Sequence, residues 1–106
     1  MIVTTGNDVA GHTVTEYVGV VRGIVVRAPS LAQGFLGGLK QLVGGNIQQY
    51  ADLCEKARQD AYALLVRHAE VVGADAVIGM RYDATVFAQG VTEVLAYGTA
   101  VKLRRG

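Results

Sequence analysis

A long helical pattern that stops at a glycine and gives way to two strand-like stretches constrains the fold of this chain more than any other feature. From Asn46 to about Val72, apolar side chains recur at the spacing of one helix face. Gly73 suits the left-handed position that follows the end of a helix. Residues 76–87 and 91–103 have the composition and alternation of strands, on either side of a short Ala-Gln-Gly turn. This order predicts a helix followed directly by an antiparallel hairpin.

The first part of the chain predicts two strands and a weaker helix. Residues 2–5 have the composition of a short strand, and residues 13–27 form a longer stretch rich in Val, Ile, Thr and Tyr. Within that stretch, Gly19 and Gly23 each indicate a bulge, a bend or a close backbone approach. Ser30 suits the start of a short helix. The apolar positions of that helix are Leu31, Phe35, Leu39 and Leu42.

Together these elements predict a single α+β domain over residues 1–106, in the order β-β-α-α-β-β. We expect a mainly antiparallel sheet, with the long and the short helix on one face. The side chains of the long helix that are expected to pack on the sheet are Tyr50, Leu53, Cys54, Ala57, Ala61, Leu64, Leu65, His68 and Val72.

The register of the final hairpin follows if Phe87 pairs with Val91 across the turn. The cross-strand pairs are then Arg81 with Tyr97 and Thr85 with Glu93. The hairpin face that we expect against the long helix carries Ile78, Met80, Tyr82, Val86, Val94, Ala96 and Ala100.

The composition predicts that the chain assembles with copies of itself. Charged residues make up 18% of the chain, against about 25% in ordinary domains. Glycine accounts for 14 of the 106 residues, nearly twice its usual share of about 7%. Such a small domain has a large surface, so low charge and abundant apolar residues favour burial of part of that surface between subunits. The alternative is a monomer with an alanine-rich core.

Several classes of function are disfavoured by charge and chain pattern. The net charge of +1 gives no electrostatic reason to expect binding to nucleic acid or to an anionic membrane. The lone cysteine excludes a disulfide within one chain. No apolar stretch approaches the roughly 18 residues of a membrane-spanning helix, and the first residues lack the pattern of a signal peptide. We therefore expect a cytoplasmic protein.

An ordered set of short segments resembles a known family over almost the whole length of the chain. The segments are Glu16-Tyr17-Val18-Gly19-Val20-Val21-Arg22-Gly23, Gly44-Gly45 before Tyr50, Ala57-Arg58, Gly73-Ala74-Asp75-Ala76-Val77-Ile78-Gly79-Met80-Arg81-Tyr82-Asp83 and Tyr97-Gly98-Thr99-Ala100-Val101. With these segments at these spacings, the chain resembles the YbjQ-like family of small uncharacterised bacterial proteins, which also carries a heavy-metal-binding label. The resemblance implies a dodecin-like subunit of a ring, a pentamer, and implies no established activity.

The three side chains that suit a soft metal ion are scattered. Cys54, His12 and His68 form none of the closely spaced pairs of typical sites. Cys54 and His68 are 14 residues apart on one helix, which separates their backbones by about 21 Å. We therefore predict no metal site within one subunit. A ring could bring copies of one ligand together at its axis.

No candidate catalytic residue and no cofactor emerge from the sequence. Cys54 has no neighbouring base in the sequence that would activate it as a nucleophile. The candidate ligand or interface patch is a charged and aromatic cluster on the predicted hairpin. Its members are Arg81, Asp83, Glu93 and Tyr97. A polar subunit interface or a solvated hairpin end would explain the same residues.

Three functions therefore remain open. The first is a non-enzymatic structural or binding module that acts as a homo-oligomer. The second is a heavy-metal-binding protein whose ligands converge between subunits. The third, by analogy with dodecin, is a carrier of a small molecule in clefts between subunits, although a shared fold is weak evidence of a shared function.

Overall fold

The computed structural model of the chain describes residues 1–27, 47–88 and 91–106. The elements in chain order are β1 (Ile2–Val3), β2 (His12–Arg27), α1 (Ile47–Val71), β3 (Ala76–Ala88) and β4 (Val91–Arg105). The predicted α+β class is confirmed, and the predicted ends of the long helix and the long strands agree with these elements within two residues. The predicted short helix, and Gln89 and Gly90 of the hairpin turn, lie outside the described residues.

The described strands form one mixed sheet in the order β1-β3-β4-β2. β4 pairs antiparallel with both β2 and β3, whereas the short β1 runs parallel to β3. The sheet is therefore mainly antiparallel, as predicted. We call the side of the sheet that lies against α1 the helix face and the opposite side the far face.

The predicted hairpin register is correct along its middle and wrong at its end. The predicted pairs of Arg81 with Tyr97 and Thr85 with Glu93 are both present. Near the turn, however, Val91 pairs with Ala88 instead of Phe87, because the register shifts by one residue after Val86.

A bulge in β3 reverses the side of the sheet to which the side chains of its first residues point. The register shifts between Ile78 and Arg81, and between them Gly79 has a φ of 60°. One extra residue in a strand inverts the alternation beyond it, so Val77 and Met80 both face α1. Ile78 packs in a separate cluster on the far face, so its expected place beneath the helix was wrong.

Small side chains let α1 lie very close to the helix face. The buried side chains at this contact are Val21, Ala57, Ala61, Leu65, Ala69, Val77, Met80, Val94, Ala96 and Ala100. The helix crosses β2 at Gly23, where a Cβ atom would lie 2.8 Å from the Cβ of Leu64 and closer still to backbone atoms of Ala61 and Leu65. Of the bulge, the bend and the close backbone approach that the sequence left open at Gly23, the structure shows the close approach.

The sheet-facing side of α1 differs from the predicted stripe. Leu64 is 45% exposed and Val72 is 37% exposed, and Cys54 is also exposed, so their predicted burial was wrong. Leu65 and Ala61, in contrast, are fully buried as predicted. The sheet contacts residues four apart on the helix, and alanine at most of these positions allows the approach at Gly23. The side chains of Tyr50 and Leu53 lie outside the described part of the structure.

The end of α1 sets the start of β3. The amides of Gly73 and Ala74 donate to the carbonyl oxygens of Glu70 and Ala69 at 3.0 Å each, and Gly73 has a φ of 78°. This is the glycine-terminated motif predicted for the helix end. Asp75 then accepts a hydrogen bond from the Leu103 amide through its carboxylate, at 2.8 Å, which ties the connection to β4.

The amino-terminal segment covers one end of the far face. Val9 is buried there with Ala76, Ile78 and Val101 in a second, smaller core. Backbone hydrogen bonds hold the segment beside β3; for example, the Met80 amide donates to the Thr4 carbonyl at 3.0 Å. The far face beyond this end has no such cover from the described residues.

The molecule is elongated for its length. Its principal dimensions are 53 × 24 × 17 Å and its radius of gyration is 17.0 Å. A compact domain of 106 residues would have a radius of gyration of about 13 Å. The 16 residues of β2 span roughly 53 Å at about 3.3 Å each, so the long strands account for this dimension.

Candidate functional site

The four residues of the candidate patch lie on the far face of the hairpin. Arg81 and Tyr97 are direct cross-strand partners. Asp83 is two residues further along β3, and Glu93 lies on β4 opposite Thr85. The structure therefore brings all four residues to one side of the sheet, although their contacts give them different roles.

Arg81 binds backbone carbonyl groups of its own chain. Its Nη1 atom donates hydrogen bonds to the carbonyl oxygens of Thr5 and Met80, at 2.8 Å each. These bonds fasten the amino-terminal segment to β3 beside the bulge. The sequence pattern showed a charge on the hairpin, but the partner in the amino-terminal segment, Thr5, lies 76 residues away in the chain and could be identified only in the folded structure.

Asp83 interacts with the outer edge of β3. Its Oδ1 atom accepts a hydrogen bond from the Ala84 amide at 2.9 Å. This amide points away from β4, because an amide within the ladder would donate to a carbonyl of the neighbouring strand. Asp83 remains exposed, whereas Glu93 is partly buried in the middle of the sheet.

Arg22 belongs to the same surface and was missed by the sequence analysis. Tyr97 pairs with Arg81 on one side and with Arg22 of β2 on the other. The three residues form a row across the far face, with the phenol between two guanidinium-bearing positions, and Tyr97 is 36% exposed. The β2–β4 register, which could not be read from the sequence, creates this row.

A second polar cluster lies on the helix face, beside the flank of α1. The Arg58 guanidinium carbon lies 5.6 Å from the centre of the Tyr82 ring, within the range of a cation–π contact. Tyr62 and Glu55 lie on the same flank of α1 and act electrostatically on Tyr82. Tyr82 was predicted to lie in the core, but it is 40% exposed because α1 lies over β2 and β4 and scarcely reaches β3.

The surroundings of Tyr82 raise its pKa. Partial burial of the hydroxyl is the largest cause, and the neighbouring Tyr62 and Glu55 add to it, while the positive charge of Arg58 lowers the pKa. The net effect favours the neutral phenol. The spacing of Glu55, Arg58 and Tyr62, at i, i+3 and i+7, was the sequence signal for a polar flank of the helix.

His68 connects α1 to the outer edge of β2. Its Nδ1 atom accepts a hydrogen bond from the backbone amide of Arg22 at 3.1 Å. This contact requires the tautomer with the proton on Nε2. The imidazole thus satisfies an amide that would otherwise face solvent beside the edge strand.

The residues do not fit a soft-metal site within one subunit. Cys54 is exposed on α1, and His68 binds the Arg22 amide through Nδ1. His12 lies at the start of β2, with its Nδ1 atom 2.9 Å from the carbonyl oxygen of Ala10. Across residues 1–27, 47–88 and 91–106, no group of three or more His, Cys, Asp or Glu side chains is arranged to hold a metal ion.

An apolar stripe runs along the edge strand β2 on the far face. We define the β2 stripe as Tyr17, Val20, Ile24 and Val26, which are exposed by 72%, 72%, 41% and 46%. The stripe faces away from α1. Val20, Ile24 and Val26 alternate with Val21 and Val25, which pack against the helix-face core, and a register shift before Gly19 brings Tyr17 opposite Val101 of the far-face core. A row of large apolar side chains this exposed is a feature of surfaces that bind another protein surface.

Within the same described ranges, no helix has the length and apolar character needed to cross a membrane.

Comparison with known proteins shows similarity over nearly the whole chain. The family model YbjQ_1, described as "Putative heavy-metal-binding", matches residues 1–104. A UPF0145 protein of Chromobacterium violaceum is 58% identical over 102 residues, covering 96% of this chain and 87% of the relative. A UPF0145 protein of Legionella pneumophila is 50% identical over 101 residues, covering 95% and 96% of the two chains. A UPF0145 protein of Paraburkholderia phymatum is 55% identical over 104 residues, covering 98% and 94%.

A solved structure shares the fold. The crystal structure of a protein of unknown function in the DUF74 family, from Pediococcus pentosaceus, superimposes with a TM-score of 0.63 over 98% of both chains. At 22% sequence identity, this likeness concerns the fold alone.

Proposed function

The chain belongs to the YbjQ_1 family and is akin to the UPF0145 proteins, and from this premise we propose that it is a non-enzymatic structural or binding module that acts as a ring of five identical subunits. Family membership confirms the resemblance drawn from the sequence. The subunit number rests on the dodecin-like ring which that resemblance implies.

The observation that carries this proposal is the β2 stripe. Its four apolar side chains lie beside the outer edge of β2, which pairs with no other described strand. Burying apolar surface is worth about 25 cal/mol for each Å² removed from water, so covering this stripe would favour association. A second copy of the chain is present wherever the chain is, at the same concentration, and is therefore a readily available partner for this stripe.

The proportions of the molecule support the same proposal. With a radius of gyration of 17.0 Å, against about 13 Å for a compact domain of its length, the subunit leaves an unusually large share of its surface exposed. The long strands that cause this shape extend the sheet beyond the helix. Assembly would bury such surfaces between neighbours.

A non-enzymatic role is supported by the contacts of the polar side chains. Arg81, Asp83, Asp75 and His68 each bind backbone atoms of the protein itself. Their hydrogen bonds hold the amino-terminal segment in place, bind amides at the strand edges and fix the connection that follows α1. Their geometry is that of structural hydrogen bonds.

The mass of the protein in solution tests the proposal. We expect light scattering of tag-free protein at micromolar concentration to give about five times the subunit mass of 11.2 kDa. Native mass spectrometry of the same sample would count the subunits and detect any retained ligand. A mass of one subunit throughout that concentration range would disprove self-assembly.

A second candidate function is heavy-metal binding between subunits. The description of the matching family favours it, and the exposed Cys54 is the side chain that a shared site would use. We nevertheless predict no zinc or copper bound with submicromolar affinity at one or more ions per subunit, because a tight site needs about four suitable ligands. Calorimetric titration of reduced protein measures this ratio. Saturation at one ion per chain that is lost in Cys54→Ser would establish the metal function.

A further inference from the structure

Among the described strands, the sheet has an unpaired edge on each side. β2 forms one edge along its full length, and its outer side pairs with no other strand among residues 1–27, 47–88 and 91–106. On the other side, β1 and the residues that follow it cover only the first part of β3, as far as Arg81. From Tyr82 onward, the outer side of β3 is also without a strand partner in the described ranges.

Hydrogen bonds show which backbone groups face outward at these edges. The Arg22 amide on β2 donates to His68, and the Ala84 amide on β3 donates to Asp83. Because outward and inward groups alternate along an antiparallel strand, Ile24 and Val86 also direct their amides outward. At each edge, a side chain thus accepts a hydrogen bond from one of the outward amides. The carbonyl groups of a neighbouring strand would accept hydrogen bonds from several of them.

We infer that the β2 edge of one copy joins the β3 edge of the next copy, so that neighbouring sheets continue into each other. This inference rests on the self-assembly proposed above and specifies the two surfaces that meet. Unpaired strand edges are templates for pairing with another chain. A contact between two different edges repeats from copy to copy and can close into a ring.

The charges beside the edges favour pairing of a β2 edge with a β3 edge over pairing of two β2 edges or of two β3 edges. On the far face, the charged side chain beside the β2 edge is that of Arg22, between Val20 and Ile24 of the β2 stripe, and the charged side chain beside the uncovered part of β3 is that of Asp83. Pairing two β2 edges would bring two arginines together, and pairing two β3 edges would bring two aspartates together. Like charges across a strand pair are destabilising, whereas opposite charges stabilise it.

Apolar side chains complement each other on the helix face of the same junction. At the β2 edge, Leu64 of α1 lies 45% exposed over Gly23. At the β3 edge, Tyr82 is 40% exposed and Val86 is 69% exposed. The junction would therefore bury apolar contacts on the helix face and pair Arg22 with Asp83 on the far face.

A charge exchange tests the junction. We expect wild-type protein to be oligomeric, and Arg22→Asp and Asp83→Arg each to reduce the mass towards 11.2 kDa at micromolar concentration. The double variant, which exchanges the two charges, should recover the oligomer. Arg67→Asp and Glu70→Arg, on the exposed side of α1, are matched controls that should leave the mass unchanged. Circular dichroism would verify that each variant is folded.

Each other result has a distinct meaning. A monomeric wild-type protein would overturn self-assembly and the junction together. An oligomeric wild-type protein whose mass falls with Arg22→Asp, but not with Asp83→Arg, would show that two β2 edges meet and would overturn the junction alone. Failure of the double variant to reassemble would also overturn the junction alone. If Asp83→Arg does not fold, Val86→Lys probes the same edge at a highly exposed position and should also lower the mass.

Discussion

The two faces of the sheet use apolar side chains in opposite ways. On the helix face, small residues bring α1 down onto the strand backbone, and Ala61, Leu65 and Ala96 are fully buried. On the far face, the described residues cover one end, with the amino-terminal segment around Val9, and Val20 further along is 72% exposed. Within the described residues, the subunit completes one core on the helix face, whereas the far face leaves the large apolar side chains of the β2 stripe exposed beside the charged Arg22 and Asp83.

The largest effect that we expect on the helix face comes from Leu65. Leu65→Ala should lower the free energy of unfolding by about 2–5 kcal/mol, because it leaves a cavity in a tightly packed contact. Leu64→Ala is the matched control and should cost less than about 1 kcal/mol in the isolated subunit, since Leu64 is 45% exposed. Denaturant unfolding of both variants in an Arg22→Asp background, which we expect to be monomeric, measures both values without the junction that would bury Leu64. A larger loss for Leu64 than for Leu65 would reverse our assignment of the helix face.

The close approach of α1 to β2 predicts a cost for any side chain at Gly23. Gly23→Ala should destabilise the subunit by about 1–3 kcal/mol, because the new Cβ meets backbone atoms of α1 that cannot move without shifting the helix. Gly6→Ala is the control, since a Cβ there would make only an ordinary contact, 3.4 Å from the Thr4 hydroxyl oxygen. Equal stabilities of the two variants would show that the helix packs less tightly than the structure indicates.

The covered end of the far face depends on Arg81. Arg81→Met should cost about 1–2 kcal/mol, a reduced value for charge-assisted hydrogen bonds that are partly open to solvent. Hydrogen exchange gives a more specific measurement, because the amides of Gly79 and Met80 donate to the segment that Arg81 holds. Their exchange should accelerate in Arg81→Met and less so in Arg81→Lys. Unchanged exchange would mean that the segment is held by the small core around Val9 alone.

The smallest expected effect occurs at alkaline pH and concerns Tyr82, on the part of the helix face that α1 scarcely reaches. The folded-state pKa of Tyr82 lies above the usual 10.0, so the folded state retains this proton more strongly than the unfolded state. The resulting stability is fully present below pH 10 and is lost as the pH rises through the folded-state pKa. Tyr82→Phe should therefore show a shallower fall of unfolding free energy between about pH 9 and pH 11.

A second variant tests the direction in which a neighbouring charge shifts the pKa of Tyr82. Arg58→Gln removes a positive charge that lowers the pKa of Tyr82, so the pKa should rise further in that variant. Absorbance titration of the tyrosinate detects the change. A lower pKa of Tyr82 in Arg58→Gln would contradict the described contact between the two side chains.

Much of the architecture could be predicted because it depends on neighbours in the chain. The strand and helix boundaries follow local periodicity, and Gly73 ends α1 through hydrogen bonds that span only a few residues. The middle of the hairpin register followed from a short turn, which is why Arg81 faces Tyr97 as expected. These features require no knowledge of distant parts of the chain.

The candidate patch was only partly predictable, because its roles depend on distant contacts. The sequence placed Arg81, Asp83, Glu93 and Tyr97 on one hairpin face, and this placement is confirmed. It could not show that Arg81 would bind the amino-terminal segment, nor that Arg22 would adjoin Tyr97 from another strand. Both contacts join residues more than 70 positions apart, beyond the reach of any local pattern.

Sequence periodicity established that this chain has a long helix, a final hairpin and a long preceding strand, since hydrogen bonding and side-chain alternation within each element depend on nearby residues. Tertiary packing chose Leu65 over Leu64 for the core, because the contact at Gly23 sets the rotation of α1. It also placed Ile78 on the far face, because the bulge at Gly79 adds a residue to β3, and one residue reverses the direction of every side chain before it.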